Sequence, residues 1–126
     1  MYKIEVETQF EESWRYNLVV MCGGYTASAK QLYVVSTEDT IAEIEDFQTT
    51  KPDGYTLPRQ LSLKAKRADN IRALVYVIPH TPPANRDIEE FAPFEMSIKI
   101  ARDGKEIYSQ IHDINQWSGS SIEIKL

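Results

Sequence analysis

His80 and His112 are the side chains of this chain best suited to chemistry, and they stand 32 positions apart in sequence. With Asp87 or Asp113 they supply the donor types of a two-histidine, one-carboxylate metal set. Such a set works only if the donors converge, and nothing in the spacing makes them converge. The chain contains no His-Glu-x-x-His and no Cys-x-x-Cys, so no metal site is assigned. Asp39, Asp53, Asp69, Asp87, Asp103 and Asp113 all fall in expected turns or loops. Calcium needs several convergent oxygens, but aspartate also favours turns for its own backbone hydrogen bonds, and no EF-hand-type run is present.

Nucleophilic catalysis needs an activated group beside a base. The chain has no Gly-x-Ser-x-Gly, and its one cysteine, Cys22, follows Val19-Val20-Met21 in an apolar run that reads as buried strand. A lone cysteine also rules out an internal disulfide. Trp117-Ser118-Gly119-Ser120-Ser121 reads as a turn before the last strand, and Asp87, Glu89 and Glu90 as a solvated loop. Gly23-Gly24 lacks the lysine and the following helix of a phosphate cradle. No catalytic residue and no cofactor is assigned.

The elements that must position these residues are strands. Phe94, Met96, Ile98 and Ile100 alternate with Glu95, Ser97, Lys99 and Ala101, then Asp103-Gly104 turns the chain into Lys105–His112. Asp-Gly suits the two positive-φ positions of a tight hairpin. A two-residue loop pairs Arg102 with Lys105, Ile100 with Ile107, Met96 with Ile111 and Glu95 with His112. On this register His112 lies on the outer face as the partner of a glutamate.

Similar alternation marks Tyr2–Val6, Lys30–Ser36, Arg59–Lys66 and Ser121–Leu126, while Trp14–Cys22 and Ile71–Ile78 are apolar on both faces. Thr37–Gln48 is the exception. Ile41, Ile44 and Phe47 recur every three residues, and Thr40 with Glu43 has capping-box spacing, which favours a short helix. The expectation is all-β with at most one short helix: an antiparallel β-sandwich of about seven to nine strands. Residues 1–126 form one domain at this length.

Antiparallel strands send alternate loops to the same end. The His80–Pro93 and Asp113–Ser120 connections therefore share one pole of the sandwich, and a single crossing by Thr37–Gln48 brings Tyr25 and Tyr55 there too. Long loops on a rigid sheet are where binding usually resides. The candidate ligand- or partner-binding residues are Tyr25, Tyr55, His80, Arg86, Asp87, His112, Asp113, Asn115 and Trp117.

Fourteen basic against nineteen acidic residues give a net charge of −5, with the basic ones scattered, which argues against nucleic acid. No apolar run approaches the roughly 20 residues of a membrane helix. Without a signal core the default compartment is cytoplasmic, and an exported mature chain would read the same way. The leading functional expectation is a non-enzymatic protein-interaction or assembly module, partnered by another protein or by itself. A small-ligand or carbohydrate module with an aromatic platform is the alternative. A hydrolase with a polar site near the two histidines is the third.

Overall fold

Alternating side chains become eight strands in the computed structural model, which describes residues 1–43, 50–83 and 92–126. They are β1 Tyr2–Thr8, β2 Tyr16–Tyr25, β3 Gln31–Asp39, β4 Arg59–Ala65, β5 Asn70–Pro79, β6 Pro93–Arg102, β7 Lys105–Asn115 and β8 Ser120–Lys125. Two four-stranded sheets form, ordered β4-β1-β6-β7 and β3-β2-β5-β8, and every pairing is antiparallel. The fold is an all-β sandwich.

The inward residues of each strand meet in one core. Ile4 and Val6 of β1, Leu18 and Val20 of β2, Val75 and Val77 of β5, and Met96, Ile98 and Ile100 of β6 are essentially inaccessible to water. Burying such side chains is the main driving force, at about 1.5–3 kcal/mol for each large apolar group. Strands β2, β4, β6 and β8 start at what is called here the upper pole, and β1, β3, β5 and β7 end there. The register fixes this: Thr8 lies opposite Arg59, Leu18 opposite Asp39, Tyr16 opposite Pro79, and Pro93 opposite Asn115.

Two expectations are corrected. Thr37–Asp39 continue β3 as strand, and residues 40–43 are irregular rather than helical, so the expected short helix fails over its described part. The remainder of Thr37–Gln48 lies outside the described residues. Extending β3 lets Thr37 and Asp39 keep pairing with Val20 and Leu18, which a helix would forgo. Thr37–Asp39 therefore do not cross the sandwich as expected, so Tyr25 stays at the lower pole, paired with Asn70.

The second correction concerns the β6–β7 hairpin. Asp103 and Gly104 do adopt positive φ, 50° and 81°, and Arg102 pairs with Lys105. A bulge then intervenes between Ile100 and Ala101, leaving Ile107 without a partner. Beyond it Ile100 opposes Tyr108, Met96 opposes His112, and Glu95 opposes Asp113. One extra residue turns every later side chain to the other face. Tyr108 and His112 therefore face inward at the sheet edge, and Ile111 stands outward, 66% exposed.

Candidate functional site

The upper pole is closed by polar side chains that grip the backbone of its loops. Arg59, the first residue of β4, is buried. Its Nη1 donates to the carbonyls of Ser13 (2.5 Å) and Tyr16 (2.6 Å). Its Nη2 donates to the Asp39 carbonyl at 3.0 Å, and Nε to the Asp39 carboxylate at 3.1 Å. Arg59 shares the inward parity of Leu61, Leu63 and Ala65, which is the signal that could have revealed it.

Arg15 ends a short 3₁₀ turn, Ser13–Arg15, and its side chain is fully buried. Nη2 donates to Gln116 Oε1 at 2.9 Å, and Nε lies 3.2 Å from the Glu12 carboxylate. The guanidinium sits 5.7 Å and 5.2 Å from the ring centroids of Phe10 and Tyr16, within cation–π range. Phe10 in turn stacks on Phe94 at 4.4 Å. Tyr16 donates its hydroxyl proton to the Gln116 carbonyl. Burial pushes the Tyr16 phenol up to about 12. No spacing rule pointed to Arg15, because a lone arginine ahead of a strand reads as exposed.

His80 belongs to the same network. Its backbone N–H donates to the Arg15 carbonyl at 3.0 Å. Nε2 lies 2.9 Å from the Trp14 carbonyl and Nδ1 lies 2.8 Å from Thr81 Oγ1. A carbonyl can only accept, so Nε2 carries the proton and the Thr81 hydroxyl donates to Nδ1. Burial pushes the imidazole below its usual value, against the raising pull of the bond to Trp14, and the nearby charges of Arg59 and Arg15 lower it further. His80 is thus a neutral, buried brace and does not reach solvent.

Of the other candidates, Tyr55 is at this pole, its hydroxyl bonded to Ser13 Oγ. Trp117 is half-buried beside Gln116. Asn115 Oδ1 accepts from the amides of Trp117 (2.8 Å) and Ser118 (3.0 Å), shaping the turn into β8. Gly119 completes that turn at φ +67°, and an added Cβ would strike the Val77 carbonyl. His112 lies on β7, with Nε2 2.8 Å from the Tyr108 hydroxyl, and Asp113 is exposed on the outer face. Among the described residues His80 and His112 share no hydrogen-bond partner. Tyr25 is at the opposite pole. Arg86 and Asp87 lie outside the described residues.

An open depression on the upper pole is lined by Glu11, Glu12, Trp14, Lys51, Tyr55 and Leu57. Sequence reading passed over all of these except Tyr55. Among the described residues no group of three or more His, Cys, Asp or Glu is placed to hold a metal ion. No described helix is long and apolar enough to cross a membrane.

Fold and pole together define an open antiparallel β-sandwich whose longer connections leave and rejoin the sheets at one end. No family model matches the chain, and no curated protein matches it. A DUF4425 family protein from Bacteroides ovatus ATCC 8483 is similar in structure over 99% of this chain and 91% of its own, at 15% identity and a TM-score of 0.40. A likeness at that level carries no functional argument.

Proposed function

We propose that this chain is a protein-interaction module whose contact surface is the upper pole, with the depression between Glu11, Lys51 and Leu57 at its centre. The carrying observation is the bracing beneath it. Arg59, Arg15 and His80 fix the backbone or side chains of three separate connections, at residues 13–16, 80–81 and 116. Loops held before binding lose less freedom on binding, which raises affinity without new contacts. The surface above mixes aromatic rings, one exposed leucine and both signs of charge, a composition suited to a protein partner. This reading moves the contact region away from His80, which serves as a brace.

The test is a photo-crosslinking residue at position 57, introduced into the chain in its source cells. Discrete protein adducts are expected, and reversing charge with Glu11→Lys and Lys51→Glu should remove them. Adducts no different from those at Lys64, an exposed position on the outer sheet face, would count against the reading.

Trp14 and Tyr55 beside Glu11 and Glu12 support a second reading, a carbohydrate subsite in the same depression. Titration of tryptophan fluorescence with a glycan panel addresses it. Emission that no glycan alters would remove that alternative.

A further inference from the structure

The edge of β7 carries an inference independent of the upper pole. β7 ends its sheet, so among the described residues one side of its backbone has no neighbouring strand. Which residues face that side follows from the ladder. The Gln116 amide donates to the Ala92 carbonyl at 3.3 Å, one step beyond the opposed pair Pro93 and Asn115. That makes Pro93–Asn115 a pair without mutual hydrogen bonds. By alternation the same holds for Glu95–Asp113, Ser97–Ile111 and Lys99–Ser109. The N–H and C=O groups of Ser109, Ile111 and Asp113 therefore point away from β6, into the open edge.

Edges of this kind are normally guarded by charge, proline, bulges or a covering loop. The bulge at Ile107 guards only the lower end of β7. From Tyr108 to His112 the strand carries no Lys, Arg, Asp, Glu or Pro, and its outward centre is Ile111. We propose that β7 pairs antiparallel with β7 of a second copy of this chain, about a two-fold axis through Ile111, joining two sheets into one.

This register uses every outward group just derived. Ile111 opposes Ile111 of the second copy, and Ser109 opposes Asp113 in both directions, each pair exchanging two backbone hydrogen bonds. On the other face Gln110 opposes His112, and Tyr108 opposes Ile114. Apolar meets apolar, hydroxyl meets carboxylate, and the bulge stays outside the paired stretch.

Charge also favours this partner. Glu95 and Asp113 lie directly opposite one another, a like-charge pair that is unfavourable within one copy. In the proposed register the second copy's Ser109 takes the next place in that row, and its Lys99 the place after. A lysine can reach across a small serine to the two carboxylates. Glu5, the neighbour of Lys99 on β1, is already paired with Lys3 at 2.7 Å.

The experiment measures mass by light scattering over a concentration series, together with disulfide trapping. The wild-type mass should rise with concentration toward twice 14.5 kDa. Ile111→Lys places two ammonium groups on the axis and should hold the mass at 14.5 kDa throughout. Its melting at low concentration should match wild type, since position 111 is 66% exposed. Ile111→Cys should give a disulfide-linked dimer under mild oxidation, and Ser109→Cys should not. The native Cys22 is buried and stays out of the exchange. A wild type that remains at 14.5 kDa overturns the proposal. So does a dimer that survives Ile111→Lys, or trapping through Ser109→Cys in place of Ile111→Cys. None of these results bears on the upper pole.

Discussion

Replacing Arg59 with methionine is the sharpest perturbation of the upper pole. It keeps a long apolar stem and removes the guanidinium. Three carbonyls lose a donor: Ser13 at 2.5 Å, which keeps the backbone amide of Tyr16, and Tyr16 and Asp39 at 2.6 and 3.0 Å. A buried acceptor left without a donor costs about 1–3 kcal/mol. The ion pair itself contributes less, because the Asp39 carboxylate is 43% exposed. An exposed partner of that kind is worth about 0–1 kcal/mol. Two such acceptors, Tyr16 and Asp39, and the ion pair sum to a loss of about 2–7 kcal/mol. Against a domain stability of about 5–15 kcal/mol, that is a large shift of the urea midpoint. Asp39→Asn should cost under about 1 kcal/mol, since its backbone carbonyl still accepts from Arg59. Arg59→Lys should fall between, as an ammonium cannot span all three carbonyls. Equal losses for Arg59→Met and Asp39→Asn would refute this reasoning, because the ion pair would then carry the energy.

His80 gives a pH dependence with a definite sign. Its folded value is depressed, so the unfolded chain binds the extra proton first. The contribution is full above the unfolded value of about 6.5 and is lost as pH falls through the folded one. Urea midpoints of wild type should therefore drop on acidification below that point, and His80→Asn should show a flatter profile. Gly119→Ala should destabilise by about 2 kcal/mol or more, combining a left-handed backbone with a clash against Val77. Gly54→Ala, also at positive φ but in open space, should cost only about 1 kcal/mol on the same thermal assay. Deleting Ile107 removes the bulge residue and leaves every pair from Ile100–Tyr108 upward in place, so a cooperative fold should survive. Deleting Ser109 should cost more, since absorbing it at the bulge puts Ile107 opposite Ile100 and turns Tyr108 outward, away from His112.

Much of the fold is legible in the sequence because period-two patterning and turn chemistry are local. The apolar alternation of β1, β4, β6 and β8, and the positive-φ Asp103-Gly104 turn, need no tertiary context to be read. The hairpin register fails for a physical reason. An Asp-Gly loop sets the first pair, but a bulge near it leaves the composition unchanged and still flips Ile111 outward and His112 inward. Thr37–Asp39 open a segment, Thr37–Gln48, that the spacing of Ile41, Ile44 and Phe47 made look helical, and they become strand because β2 offers them partners. The candidate site was the least legible. Solvent exposure is the ordinary expectation for arginine, yet Arg15 and Arg59 are buried, and their partners, the Gln116 side chain for Arg15 and backbone carbonyls for Arg59, are ones that no motif encodes. Tyr55 could be placed by loop alternation, whereas Glu11, Lys51 and Leu57 join it only through the packing of the loops.

Amide hydrogen exchange at the upper pole tests the central claim, that residues 13–16, 80–81 and 116 are held rigid by the buried arginines and His80. The amides of Ser13, Arg15, His80 and Gln116, which donate to Phe10, Glu12, Arg15 and Ala92, should exchange as slowly as those of the core strands. Exchange at the rate of open surface loops, with the β5 and β6 amides still protected, would contradict it.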